Sequence, residues 1–161
     1  MRIIKILLSL NMALMCLVYV LQNLVNIDAA FAGLSYVMSN ADHVVNKESI
    51  APAVTRPGLV WTAMVIVFCF EMLAGLLILN GVWHLWSARK AAPAVFQSAK
   101  KMVYVGAGLG MLTWFGLFHV AGGAWFQMWQ TAIGGGSLSG AFWIGSILAL
   151  SALFIAGVPD D

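Results

Sequence analysis

Charged residues are scarce in this chain. Only 9% of its 161 residues are Asp, Glu, Lys or Arg, whereas a soluble globular domain carries about 25%. Eight basic and six acidic side chains leave a formal net charge of +2, which is too small an excess to predict a nucleic-acid surface. The shortage of charge therefore excludes an ordinary soluble domain and argues against nucleic acid as a partner.

The groups that carry most enzyme chemistry are also missing. Cys16 and Cys69 both lie inside apolar runs, and no spacing of His or Cys resembles a metal or redox motif. No nucleophile with a base, pair of carboxylates or phosphate-binding loop is evident. The GAGLG stretch at 106–110 follows no strand, so it indicates helix packing and not dinucleotide binding. We expect neither enzyme activity nor a metal site, and the absence of an internal repeat disfavours a transporter built from inverted halves.

Long apolar runs dominate what is present. A run of about 20 apolar residues predicts a transmembrane helix, because only a helix satisfies its own backbone polar groups in hydrocarbon. Four such runs cover about 3–26, 58–86, 102–121 and 139–158. The sequence predicts one all-α domain over residues 1–161, a bundle of four transmembrane helices. The first run also resembles a signal peptide, but its length favours an uncleaved signal-anchor helix.

The basic residues predict how this bundle is oriented. Six of the eight lie on one side of the predicted spans: Arg2, Lys5, Arg89, Lys90, Lys100 and Lys101. The positive-inside rule assigns that side to the cytoplasm. Both termini are then cytoplasmic, in a multi-pass protein of the bacterial inner membrane. The outer loop at 27–57, about 30 residues long, is long enough to cap the bundle or meet a partner.

Glu71 is the only carboxylate inside a predicted span, and apart from Lys5 at the start of the first run no Lys or Arg lies in one. A charge at such a depth costs a few kcal/mol. Three interpretations are open: a protonated Glu71 hydrogen-bonded to a group such as Asn11 or Tyr19, a Glu71 that meets a donor from another subunit, or a Glu71 in a proton or ion path.

Polar and polarisable side chains recur every three or four residues on the first helix, at Asn11, Met15, Tyr19, Asn23 and Asn26. This spacing places them on one stripe of a helix. We expect the stripe to face other helices and not lipid.

Small residues on the third and fourth helices predict close helix packing. Gly106 and Gly110 are four residues apart on the third helix, and Ala141, Gly145 and Ala149 repeat that spacing on the fourth.

The stretch GGAWFQMWQT at 122–131 is rich in aromatic residues and follows the third span. If it is helical, Trp125, Phe126 and Trp129 share one face. They then form either an aromatic belt at headgroup level or, with Met128 and Gln130, an anchor for a partner subunit. GGGSLSG at 134–140 predicts a flexible turn before the last helix.

The three histidines do not predict a haem site. His84 and His119 fall at opposite ends of their spans, so they cannot clamp one haem, and His43 with His119 forms at most a weak pair. We predict no cofactor, although a bound lipid or quinone is compatible with grooves between Trp- and Met-rich helices.

These residues resemble those of an uncharacterised bacterial family of predicted small integral membrane proteins. The similarity runs from about Gln22 to Phe142, and its most specific part is GG-x-WF-x-MWQ from Gly122 to Gln130. Weaker parts are Gln22-Asn23-Leu24, Arg56, Glu71, Phe96, Ala99-Lys100, Trp114 and Ala141-Phe142. The resemblance implies a four-helix membrane fold and no particular activity.

The chain departs from the family pattern in three places. The family usually has Glu at the position of Ala124, Asn-Gly at Gly135-Gly136 and Arg at Trp143. Polar groups on the outer side are thus replaced by small or apolar ones. A polar site of the family on that side would be lost, and the more apolar surface suits contact with another protein.

Three functions follow as hypotheses. The first is a non-catalytic accessory subunit of a larger respiratory or photosynthetic type of membrane complex, with other membrane subunits and lipids as partners. The second is a quinone-, lipid- or haem-binding electron-transfer subunit. The third is a small proton or ion transporter that uses Glu71.

Overall fold

The computed structural model describes residues 1–160, and these residues form helices and loops with no strand among them. The helices are α1 (Arg2–Val25), α2 (Ile27–Met38), α3 (Pro57–Ser87), α4 (Pro93–Ala99), α5 (Lys101–Met111), the π-helix π1 (Leu112–Trp125), a 3₁₀ turn (Met128–Gln130) and α6 (Ala132–Gly157). Four apolar helical stretches are long enough to cross a membrane: Arg2–Val25, Pro57–Ser87, Pro93–Trp125 and Ala132–Gly157. The predicted all-α fold with four candidate spans is confirmed.

The boundaries differ from the expected ones at three places. The third span, expected over about 102–121, covers Pro93–Trp125. The region at 27–57 contains a helix of its own, α2, which packs against α3. The Gly-rich stretch predicted as a flexible turn is helical, because α6 already begins at Ala132. Thr131 caps it by accepting a hydrogen bond from the Gly134 amide at 3.0 Å. A capped helix satisfies backbone groups that a flexible turn would leave open inside the bilayer.

Helix packing rests on glycines, as expected in a membrane. A Cβ on Gly106 would lie 2.6 Å from the Ile78 side chain and 2.8 Å from the Ala74 carbonyl oxygen, so α5 and α3 touch at the backbone. A Cβ on Gly110 would lie 2.7 Å from the Leu148 side chain of α6. A Cβ on Gly145 would have space, because its nearest neighbour would be 3.7 Å away.

Two further glycines, both on α3, extend this contact. A Cβ on Gly75 would meet the Leu17 side chain of α1 at 2.6 Å, and one on Gly81 would meet Val103 of α5 at the same distance. Helix α3 is therefore the central helix, packed against α1 on one side and α5 on the other.

The two termini meet the α3–α4 loop at one end of the bundle, here called the terminal end. Lys5 and Lys100 are fully buried there, and both bind the Asp160 carboxylate, at 2.5 and 2.7 Å. Lys5 also donates to the Val158 carbonyl oxygen, and Lys100 to the Gln97 side chain at 2.7 Å.

Arg2 completes this group of charges. Its guanidinium donates to the carbonyl oxygens of Asp160 at 2.6 Å, Ala91 at 2.6 Å and Arg89 at 3.0 Å, and it lies 5.0 Å from the centre of the Phe96 ring. We call Arg2, Lys5, Lys100 and Asp160 the terminal clasp. It joins the first helix, the α3–α4 loop and the C-terminal segment.

The pKa of Asp160 reflects both its burial and its partners. Burial raises this pKa, but the hydrogen bonds from Lys100 and Lys5 outweigh it, so the net pKa lies below the usual range of Asp. The ionised carboxylate is therefore the form that the folded protein favours.

Candidate functional site

A cavity of about 430 Å³ lies at the opposite end of the bundle, where α1 ends and α3 begins. We call this the loop end. Helices α2, α3, π1 and the start of α6 enclose the cavity, and its volume falls in the range of about 300–1,000 Å³ typical of small-molecule sites. Its lining includes Ala29, Ala30, Gly33, Leu34, Val37, Met38, Ala63, Met64, Ile66, Val67, Phe68, Leu117, Phe118, Ala121, Gly122, Phe126, Met128 and Ile133.

The cavity wall is almost entirely apolar. Among the described residues that line it, only Asn23 and Ser137 are polar. The space exists because α2 presents small side chains toward it: a Cβ added to Gly33 would meet nothing within 4 Å. The chemistry of the wall suits an apolar molecule with one hydrogen-bonding group.

One wall of the cavity is π1, a π-helix of 14 residues. Its wide turns are closed by bonds between residues five apart, as in the 2.9 Å bond from the Phe126 amide to the Ala121 carbonyl oxygen. Such helices are rare, usually a single turn long, and frequent at functional sites. The residues that π1 contributes to the cavity wall are Leu117, Phe118, Ala121 and Gly122.

The chain reverses direction between π1 and α6 around a buried methionine. Gln127 adopts a left-handed conformation with φ 51°, which turns Met128 inward. Met128 packs against Gly122 of π1 and against Gly134 of α6, where a Cβ would collide with it. The most specific part of the family-like motif therefore contributes Gly122, Phe126 and Met128 to the cavity wall.

Gln130 attaches the loop after α2 to this reversal. Its Oε1 accepts from the amides of Val45 and Asn46, both at 2.9 Å, and its Nε2 donates to the Asn46 carbonyl oxygen at 3.1 Å. These bonds hold the loop after α2 against the chain reversal between π1 and α6.

The aromatic cluster at 122–131 divides between two environments. Trp125 and Trp129 are exposed over 50% and 46% of their surfaces, as an aromatic belt or a partner anchor requires. Phe126 lines the cavity instead, and Met128 is buried. The predicted shared face does not form, because π1 ends at Trp125 and the left-handed Gln127 interrupts the helix.

Glu71 follows the α3 part of the cavity wall and is not one of the described residues that line the cavity. It is 1% exposed, and the side chain of Asn23, itself part of the cavity wall, is its hydrogen-bond partner. The second carboxyl oxygen, Oε2, has no hydrogen-bond partner among residues 1–160. Val67 and Phe68, which line the cavity, precede Glu71 by four and three residues and so occupy the adjacent turn on the same face of α3.

The position of Asn23 also gives the depth of Glu71. Asn23 is two residues, or about 3 Å along the axis, from the end of α1 at Val25. Glu71 lies halfway along the 31 residues of α3, but that helix is longer than the roughly 20 residues a span needs. The carboxyl group therefore lies close to the level at which α1 ends.

The predicted polar stripe on α1 is wrong in most of its members. Asn11, Tyr19 and Asn26 are exposed, and neither Asn11 nor Tyr19 reaches Glu71. Asn11 and Asn26 instead donate to backbone carbonyl oxygens four residues earlier, at 3.1 and 2.9 Å. An Asn that satisfies itself in this way needs no partner helix. The buried face of α1 is Lys5, Ile6, Ser9, Met12, Ala13, Cys16 and Val20.

His119 is the remaining polar group of interest in the spans. Its ring lies 6.4 Å from that of Phe115 and 6.3 Å from that of Phe142, and its buried Nε2 has no hydrogen-bond partner in the described part of the chain. Within residues 1–160, no three His, Cys, Asp or Glu side chains are grouped as a metal ion would require.

Sequence reasoning missed the cavity and the terminal clasp. The cavity had a signal, since Ala29, Ala30 and Gly33 place small residues on one side of a short apolar helix. The clasp had none, because Lys5, Lys100 and Asp160 are distant in the sequence and form no recognisable motif.

Comparison with models of known protein families identifies the family to which the chain is similar. The model of the family described as predicted small integral membrane protein (DUF2165) matches residues 1–156, which confirms the resemblance noted in the sequence. Searches of curated proteins and of solved structures found no match.

Proposed function

The chain belongs to this family of small integral membrane proteins, and on that basis we propose that it holds one apolar molecule in the cavity at its loop end. It acts as a lipid- or quinone-binding membrane protein and not as a catalyst. The observation that carries the proposal is the cavity of about 430 Å³, whose described lining has two polar side chains. Membrane proteins otherwise pack their helices closely, as this chain does along α3.

The orientation of the bundle indicates where the molecule comes from. The terminal end carries six of the eight basic residues, so the positive-inside rule assigns it to the cytoplasm. The cavity then opens to the outer leaflet of the bacterial inner membrane, and the molecule enters from that leaflet.

Blocking the cavity tests the proposal. Gly33→Phe fills open space inside it, whereas Gly58→Phe adds the same side chain at an exposed helical glycine away from it, also with nothing within 4 Å. The probe is a long-chain alkylbenzene, and native mass spectrometry counts the molecules retained after detergent removal. We expect one molecule on the wild type and on Gly58→Phe, and at least a tenfold loss for Gly33→Phe. Equal retention by both variants, or no retention by the wild type, would contradict the proposal.

A second candidate function is that of an accessory subunit in a larger membrane complex. Trp125 and Trp129 are exposed, and the hydrogen bonds of Gln130 hold the adjoining loop in place, so these rings are presented without a large entropic cost. Trp is enriched among the anchors of protein interfaces.

Purification in a gentle detergent tests this second candidate. A partner should co-purify with the wild type and be lost from Trp129→Ala, while Trp83→Ala, which removes an even more exposed ring from α3, retains it. A lone monodisperse chain would contradict the subunit hypothesis.

A transport function through Glu71 has the least support. The α1 face between Glu71 and the terminal clasp consists of Cys16, Ala13, Met12 and Ser9, and the Ser9 hydroxyl is bonded to the Lys5 carbonyl oxygen at 2.8 Å. An ion or proton path needs a series of polar groups. Liposome flux that Glu71→Gln abolishes would revive this hypothesis.

A further inference from the structure

We propose that Glu71 and Asn23 form the polar end of the cavity and that they bind a carbonyl oxygen of a quinone-type ring. This inference rests on the proposed binding function and names the class of molecule. Its two structural elements are a buried carboxyl oxygen that has no partner among the described residues, and a cavity wall that contains Asn23, which is hydrogen-bonded to the same carboxyl group.

The first step is the position of the carboxyl group. Asn23 belongs both to the cavity wall and to the hydrogen bond with Glu71. Phe68, one helical turn before Glu71, also lines the cavity. The carboxyl group thus stands behind these two side chains, which a ligand oxygen must displace to reach Oε2.

The second step is the hydrogen-bonding capacity of the carboxyl group. An ionised carboxylate with a single amide partner is strongly disfavoured among apolar groups, so Glu71 is taken as the neutral acid. A neutral acid has one O–H donor and a carbonyl acceptor. Asn23 donates to one oxygen, and the proton then resides on Oε2, which lacks a partner. A buried donor without an acceptor is costly, and a ligand carbonyl oxygen would satisfy it.

The third step is the shape of the molecule. Three of the cavity residues are phenylalanines, namely Phe68, Phe118 and Phe126. Aromatic walls favour a flat ring through offset or edge-to-face contacts. A ring with a carbonyl oxygen at its rim and an apolar tail satisfies both the acid and the wall.

Other classes of molecule fit less well. A long-chain amine would need an ionised Glu71, for which the cavity provides only Asn23 and Ser137 as polar neighbours. A plain hydrocarbon would fill the space and leave Oε2 without a partner. Both are therefore included as competing arms of the test.

The experiment compares three probes with the same tail: an alkyl benzoquinone, the corresponding alkylbenzene and the corresponding alkylamine. Affinities are measured by native mass spectrometry on the full chain. We expect the wild type to bind the quinone about tenfold more tightly than the alkylbenzene. Glu71→Leu should abolish this preference and leave alkylbenzene binding intact, whereas Glu71→Gln should retain most of it, since an amide still donates. Asn23→Leu should weaken the preference, and Gln22→Leu, at the exposed neighbouring position, should leave it unchanged.

The outcomes separate this inference from the function on which it rests. Equal binding of the quinone and the alkylbenzene, both blocked by Gly33→Phe, would overturn the quinone assignment and leave the proposed binding function standing. Preference for the amine, lost in Glu71→Gln, would also overturn it, in favour of a cationic molecule. Failure of all three probes to bind would remove the proposed function itself.

Discussion

The two ends of this bundle treat buried polar groups in opposite ways. At the terminal end, Lys5 and Lys100 are fully buried, and each has a carboxylate and a further oxygen as partners. At the loop end, Glu71 is equally buried but has one partner and one unsatisfied oxygen, next to an apolar space. A cluster in which every buried polar group has a partner holds helices together, whereas a buried polar group that lacks a partner can still bind a ligand. The comparison is consistent with a stabilising role for the terminal end and with the ligand binding that we propose for the loop end.

The largest effect is expected from breaking the terminal clasp. Asp160→Asn removes the carboxylate and leaves two buried ammonium groups without a counter-charge, which costs about 3–5 kcal/mol of unfolding free energy. Thermal unfolding in a mild detergent measures the loss. Glu48→Gln, at an exposed loop position, is the control and should change stability by less than about 0.5 kcal/mol. If the two variants unfold alike, the clasp does not stabilise the bundle.

A smaller effect is expected where the helices touch. Gly106→Ala places a Cβ 2.6 Å from Ile78 and 2.8 Å from the Ala74 backbone, and such overpacking costs about 1–3 kcal/mol. Gly108→Ala is the matched control on the same helix, with nothing within 4 Å, and its better helix propensity should leave stability unchanged or slightly raised. Unfolding in the same detergent compares the two, and a neutral Gly106→Ala would show that the backbones are not in contact.

A local effect is expected at the loop end. Gln130→Leu removes the bonds to the Val45 and Asn46 amides, each worth about 1 kcal/mol. Hydrogen exchange at these two amides should accelerate roughly tenfold, with little change in global unfolding. Gln22→Leu, an exposed position on α1, should leave their exchange unaltered, and unchanged exchange in Gln130→Leu would mean that other contacts hold the loop.

The smallest effect is expected from acid. The pKa of Asp160 is lowered in the folded protein, because the bonds from Lys100 and Lys5 outweigh its burial. A lowered pKa contributes stability that is present above the unfolded value, about 3.9, and is lost as the pH falls through the folded value. Unfolding midpoints should therefore decline below about pH 4, and the part due to this group should vanish in Asp160→Asn. An identical acid dependence in the variant would assign the decline to other carboxylates.

Sequence patterns predicted the spans well, because a segment in hydrocarbon must be apolar and must satisfy its own backbone hydrogen bonds by forming a helix. Four apolar runs became four candidate spans, and Gly106 and Gly110 lie where the third span meets its neighbours. The same patterns failed for the faces of α1. A period of three or four residues puts Asn11 and Tyr19 on one stripe, but it cannot tell whether an Asn will bond to its own helix or to another one.

The candidate site shows the same division. Glu71 stood out as the lone acid of the spans, and Asn23 was among the polar residues on α1, but their pairing depends on how far α3 extends beyond the end of α1. The cavity depends on α2 folding back against α3, and on the left-handed Gln127 that turns Met128 inward.

The sequence by itself determined that the chain is helical and crosses a membrane, because about 20 apolar residues in hydrocarbon have few other ways to satisfy their backbone. It also determined that one acid lies within a span. Only the tertiary structure decided what surrounds that acid and what neutralises Lys5 and Lys100. These contacts join residues distant in the chain, and their energies depend on burial and geometry that no local pattern encodes.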